Sequence, residues 1–224
     1  MAHSKEIMKN LTEKGLLPLY FHRDKDIATE ILRALYRAGV RVVEFTNRGE
    51  EALGNFSHLR KIRDKEMPDL FLAAGTVKTR QHALAFIVEG ADFIISPGFN
   101  EEVGKTADDK NTLWIPGCMT PSEIMKAEEL GASVIKLFPG NLLGPGFLNS
   151  IKELFPALSF IPTGGVKIEE ENLDAWFRSG VVAVGAGSTL INKNDVANSL
   201  PNKETLPAGR VSLMLPGRIY FTIT

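Results

Sequence analysis

The chain is predicted to be an α/β protein of the (β/α)8 TIM-barrel class, on three observations. Eight short apolar runs recur along it, amphipathic segments lie between them, and the spacing is even from the third run onward. The runs are Leu16–Phe21, Val40–Thr46, Phe71–Gly75, Phe93–Ser96, Leu113–Gly117, Val134–Phe138, Phe160–Thr163 and Val181–Gly185. Each is rich in Val, Ile, Leu or Phe, and all but the first stop at Gly, Pro, Ser or Thr or just before one. Continuous apolar strands of this kind suit a parallel sheet covered on both faces. Repeated strand–helix alternation leaves a barrel or a long doubly wound sheet, and the count and spacing favour the barrel. At 224 residues it is a small one, below the ~250 typical of the fold.

The connecting elements follow in order. The opening segment from Ser4 to Lys14 reads as an extra helix covering the bottom of the barrel. Asp24 to Ala38 carries Ile27, Ile31, Leu32 and Leu35 at helical spacing. Pro121 to Leu130 starts after Thr120, a good N-cap, with Pro121 at the first helical position and Glu123 in the first turn. Gly131 marks its end, as Gly180 marks the end of Ile168 to Ser179. After Leu190 the closing outer helix is missing from the pattern. Asn192 to Thr224 contains Pro201, Pro207 and Pro216, and its last part alternates like strands. Val211–Leu215 and Arg218–Thr224 are read as a hairpin around Pro216-Gly217. The expectation is one barrel domain over residues 1–191 with its N-terminal helix, and an atypical tail over 192–224.

Composition narrows the function. With 44% hydrophobic residues and a formal net charge of −1, the chain has ample core and no basic excess to suggest nucleic acid. The start is polar and mixed in charge, unlike a signal peptide. No run approaches the ~18 apolar residues of a membrane helix. A single cysteine, Cys118, excludes an internal disulfide and fits a reduced, cytoplasmic setting. The histidines, His3, His22, His58 and His82, are scattered, and no paired-ligand motif lies on the strands, so no metal is expected.

The chemistry centres on Lys136. Val134, Lys136 and Phe138 share one strand face and Ile135 and Leu137 the other, so the amine stands alone among apolar neighbours. An isolated lysine of this kind is more often one that snorkels to water. A desolvated amine is instead a nucleophile toward carbonyl groups, and the rest of the chain turns the reading that way. In such barrels the active site lies at the C-terminal ends of the strands. Glu44 shares its face with Val42 and Thr46 on the second strand and meets Lys136 if both point inward. A buried structural ion pair is the competing reading, but such pairs rarely add stability. Ala74 and Thr76 share a face at the end of the third strand, and Arg48 follows the second; Arg48 and Thr76 suit a carboxylate clamp. Gly164-Gly165 and Gly185-x-Gly187-Ser188 close strands seven and eight, the recurring phosphate site of the fold. Glycines there admit backbone N–H groups to an anion, and Ser188 suits the cap of a short helix. Cys118 reads as a small apolar filler.

Taken together, RVVEFTNRGEEAL, AAGTVKT, GADFIISPGFN, IPGCMTPSEIMKAEELGASVIKLFPG, IPTGGV and VGAGSTL, spread from about Gly15 to Leu190, resemble the 2-keto-3-deoxy-6-phosphogluconate (KDPG) aldolase family, which includes the 4-hydroxy-2-oxoglutarate (KHG) aldolases. The resemblance implies a phosphate-binding barrel of class I aldolase type, a homotrimer, with no metal or other cofactor. It assigns Lys136 as the Schiff-base lysine, Glu44 as acid/base, and Arg48 and Thr76 as binders of the pyruvate carboxylate. It makes Pro97 and Phe138 pocket walls and Gly164, Gly165, Gly187 and Ser188 the phosphate site. Thr163 matches the residue facing the substrate hydroxyls and favours the gluconate over the galactonate epimer. The implied reaction is cleavage of KDPG to pyruvate and glyceraldehyde 3-phosphate. Alternatives within the family are KHG and the phosphogalactonate substrate. From other classes, a phosphate-barrel isomerase or epimerase and a non-catalytic phosphometabolite binder remain open. His22 stands where the family varies, and the tail from about Asn192 departs from its closing helices.

Overall fold

A computed structural model describes residues 2–187, 213–215 and 218–221. In chain order the elements are α1 (Ala2–Lys14), β1 (Leu16–Tyr20), α2 (Lys25–Arg37), β2 (Val42–Thr46), α3 (Ala52–Glu66), β3 (Phe71–Gly75), α4 (Arg80–Val88), β4 (Phe93–Ile95), α5 (Glu101–Asp109), β5 (Leu113–Ile115) and β6 (Gly117–Cys118). There follow α6 (Pro121–Glu129), β7 (Val134–Leu137), α7 (Gly140–Ile151), β8 (Ser159–Pro162), α8 (Glu170–Arg178), β9 (Val184–Ala186), β10 (Leu213–Leu215) and β11 (Arg218–Phe221).

Strands β5-β4-β3-β2-β1-β9 form one parallel sheet in that order and β6-β7-β8 another. Two links turn them into a ring. Pro116 separates β5 from β6, because a residue without an N–H interrupts the ladder, yet its carbonyl accepts from Lys136 N at 2.9 Å. On the other side, Val182 N donates to Phe160 O at 3.1 Å and Thr163 bridges Gly185. Since β9 also pairs with β1 from Leu16↔Val184 to Pro18↔Ala186, the ring closes as a (β/α)8 barrel. Two strand limits differ from expectation. The fifth run is split at Pro116, and the last strand is Val184–Ala186 because only the Val182 amide, not a ladder, joins its earlier part to β8.

Alternation along the strands sorts the core into two layers. Outward residues such as Val43, Phe45, Leu72, Ile94, Ile135 and Phe160 pack with the helices. Inward residues Leu17, Val42, Phe71, Phe93, Val134 and Ile161 form a separate interior cluster with Ile7 and Leu11 of α1. The first helix therefore plugs the barrel bottom, as its place in the sequence suggests. Burying each of these two side chains is worth about 1.5–3 kcal/mol. His3 seats the start of the plug: its ring meets Phe71 edge-on at 5.1 Å and its Nε2 lies 3.1 Å from Asp92. Asp92 also accepts from Leu72 N at 2.7 Å and from Arg63.

At the opposite end, side-chain caps hold the helix starts close to the strand ends. Asp24 accepts from Asp26 N and Ile27 N, Thr79 from His82 N and Asn100 from Val103 N. Thr120 and Glu123 make the reciprocal capping box expected of them, followed by Pro121 at the first helical position. The sequence reading does not place helices α3, α4, α5 and α7 individually, and α7 is broken at Gly144 (φ 69°) and Pro145. In the tail, β10 and β11 pair antiparallel with Leu213↔Phe221 and Leu215↔Arg218, the expected hairpin, while residues 188–212 lie outside the described residues.

Candidate active site

Going up the barrel interior from the α1 plug, the lining is apolar until Glu44, Lys136 and Thr163. All three are buried, with 1%, 5% and 3% of their surface exposed. Glu44 is carried by β2 two residues above Val42, and Lys136 by β7 two above Val134, so alternation aims both inward. They meet across the ring: Lys136 Nζ stands 3.5 Å from Glu44 Oε1. Among the described residues neither Glu44 oxygen accepts a hydrogen bond, nor does Thr163 Oγ1 have a partner. Unpaired polar atoms in such a place cost free energy, and clusters of them mark sites rather than scaffolds.

Lys136 also lies over the Phe138 ring, 5.4 Å from its centroid. That ring in turn covers the phosphate-type loop: a Cβ on Gly164 would come within 2.9 Å of Phe138 Cε2. Phe138 is thus a wall shared by the amine and the glycine turn, and the Phe138–Pro139 peptide is cis. Gly164 and Gly165 both have left-handed backbone, φ 89° and 68°, which side-chain-bearing residues rarely adopt. Their carbonyl side is engaged, with Asn141 N donating to Gly164 O at 2.9 Å. Thr163, just before them, bridges Gly185, so the turn leaves β8 beside β9, where glycine lets an anion come close to the backbone.

Pro97 enters at the end of β4, where its carbonyl lies against Gly117, a Cβ there falling 2.4 Å from it. Gly117 is the register partner of Lys136, so Pro97 stands one strand from the amine. Gly187 follows β9 against the Leu19 side chain. Ser188 lies outside the described residues. Arg48 is exposed two residues beyond β2, and no ion pair joins it to Glu44 or to any other described residue. Thr76 requires a correction. Ala74 packs outward with the helices, and Thr76 has φ 59°, so the left-handed turn ends the alternation and the two do not form a common inward face. His22 is a loop residue whose Nδ1 accepts from Asp24 N at 3.1 Å. Cys118 is buried, and burial first, with the Glu123 charge second, pushes its thiol up to about 12. Among the described residues, no three His, Cys, Asp or Glu side chains are grouped to hold a metal.

Two glycines stand against the buried polar side chains: Gly75, to which the sequence reading gives no role, and Gly185, which it places in the phosphate loop. Gly75 faces Glu44 and Gly185 faces Thr163 so closely that a Cβ would lie 2.0 Å and 2.2 Å from their oxygens. The available signal was a glycine ending an apolar strand, which often marks a close approach.

Over residues 7–203 the chain matches the family described as KDPG and KHG aldolase. It belongs to that family. Among its relatives, a 2-dehydro-3-deoxy-phosphogluconate aldolase of Treponema pallidum is 31% identical over 85% of this chain and 89% of its own length. A KHG/KDPG aldolase of Escherichia coli is 35% identical over 70% of this chain and 72% of its own. A crystal structure of the KDPG aldolase of Legionella pneumophila, with pyruvate captured as a covalent carbinolamine, superposes with a TM-score of 0.78 at 27% identity, covering 86% of this chain and 91% of that one. A KDPG and KHG aldolase is an aldehyde-lyase by class. The buried lysine, the carboxylate beside it and the glycine turn above are an arrangement in which carbonyl addition and proton transfer are both feasible.

Proposed function

We propose that this chain is a class I aldolase that splits KDPG into pyruvate and glyceraldehyde 3-phosphate. The observation that carries the reading is the Lys136–Glu44 pair, 3.5 Å apart and buried, with neither carboxylate oxygen otherwise bonded among the described residues. Neutral Lys136 attacks the C2 carbonyl, and the carbinolamine loses water to give a protonated imine. Glu44, through a water, takes the C4 hydroxyl proton as the C3–C4 bond breaks. The bonding pair moves into the imine, leaving an enamine and releasing glyceraldehyde 3-phosphate as its aldehyde. The same relay returns the proton to C3, and water hydrolyses the imine to free pyruvate and the amine. No metal or other cofactor takes part.

Around this pair, Arg48 and Thr76 hold the pyruvate carboxylate, and Pro97 and Phe138 wall the pocket. Thr163 faces the substrate hydroxyls, which fits an Oγ1 without a hydrogen-bond partner among the described residues. Gly164, Gly165, Gly187 and Ser188 take the phosphate, which fits the left-handed backbone of the Gly164–Gly165 pair. The working unit is a cytoplasmic homotrimer, each chain one barrel domain over residues 1–191 with the tail appended. The name of the Escherichia coli relative covers KHG as well as KDPG, so unphosphorylated KHG is the second substrate to test.

The test is pyruvate release, followed through lactate dehydrogenase and NADH, with KDPG and KHG offered separately. A kcat/KM for KDPG well above that for KHG is the expected result. Turnover of KHG alone would reassign the substrate, and turnover of neither by folded protein would overturn the aldolase reading.

A further inference from the structure

We propose that Gly75 is a positioning residue for Glu44: its missing side chain is the slot in which the carboxylate stands beside Lys136. The inference rests on Glu44 being the acid/base of the reaction above. Gly75 ends β3 opposite Thr46, one diagonal step above the Glu44↔Ala73 pair. Phe71 and Ala73 line the barrel interior, so a side chain at position 75 enters it as well. There a Cβ would stand 2.0 Å from Glu44 Oε1 and 2.5 Å from both its Cγ and Cδ. The three nearest atoms all belong to Glu44, so the obstruction is that side chain and nothing else comes nearer.

Backbone conformation does not account for the glycine. Gly75 is not among the residues with positive φ, and alanine is favoured over glycine in a strand interior. Space is the remaining reason. Among the described residues neither Glu44 oxygen has a hydrogen bond, and Lys136 at 3.5 Å is the ion-pair partner. What packs around the side chain therefore decides where the carboxylate stands. A methyl group at position 75 drives the carboxylate by an ångström or more, out of its 3.5 Å approach to Nζ. Misplacement on that scale costs catalysis on the order of 100-fold.

The test is a double-mutant cycle read in kcat and KM. Gly75→Ala should lower kcat about 100-fold with KM little changed, while pyruvate is still trapped on Lys136 by borohydride. In the Glu44→Ala background, where the obstructing atoms are gone, the same substitution should cost almost nothing further. Equal losses in both backgrounds, or no loss in the parent, overturn the proposal. Should Gly75→Ala fail to fold, the cycle is read in thermal unfolding: recovery of the fold in the double variant upholds the steric coupling, and its failure there overturns it. If Glu44→Ala alone leaves kcat intact, the acid/base reading fails, while the coupling is still read in unfolding.

Discussion

Lys136 Nζ and Glu44 Oε1 face each other at 3.5 Å across the barrel, on side chains only 7% and 1% exposed. A pair kept for stability would have its other lone pairs bonded, since desolvation otherwise outweighs the attraction; among the described residues they are left open. Glu44→Gln preserves the volume and removes the base. It is expected to cut kcat by about 10²–10⁴ with the circular dichroism spectrum unchanged. An unaltered kcat would remove Glu44 from the chemistry.

Arg48 is exposed at the rim and has no ion pair among the described residues, so it contributes little to the fold there. Losing a charge-assisted bond to substrate costs roughly 1.5–3 kcal/mol. Arg48→Ala should accordingly raise the KM for KDPG by about 10-fold or more and leave the unfolding temperature where it was. A KM within error of the parent's returns Arg48 to the surface.

Leu11 is fully buried in the interior cluster at the barrel bottom. Leu11→Ala should lower stability by about 2–5 kcal/mol, read from the urea midpoint at constant slope. A loss under about 1 kcal/mol would mean that α1 lies on the barrel without plugging it.

Burial, with Glu123 adding to it, raises the Cys118 thiol to about 12, against about 8.5 in an unfolded chain. The folded state therefore holds its proton longer. This stabilises the fold fully below the unfolded value and is withdrawn as pH climbs from there toward 12. At pH 8 the native thiol should react with iodoacetamide far more slowly than the thiol in urea. Equal rates would contradict the burial.

The barrel was legible because parallel strands buried on both faces leave continuous apolar runs, and Lys136 and Glu44 stood out as the charges within them. Helix α6 was legible down to its cap, since Thr120, Pro121 and Glu123 carry that information locally. What escaped depends on contacts between distant segments or on single backbone torsions. The need for Gly75 comes from a side chain on another strand, and no local pattern announces it. Thr76 breaks period-two alternation with one left-handed residue, which threonine does not advertise. Pro116 splits a strand only because its neighbours supply a ladder to interrupt. The α1 plug was placed correctly by chain order, but its mates Phe71 and Val42 are visible only in the closed ring.

The most direct measurement is borohydride reduction in the presence of pyruvate, followed by intact mass and peptide mapping, with Lys136→Ala in parallel. One pyruvyl adduct per chain, mapped to Lys136 and absent from the folded variant, is the expected result. No adduct on folded protein, or an adduct on a different lysine, would contradict the imine mechanism and leave the Lys136–Glu44 pair without its chemistry.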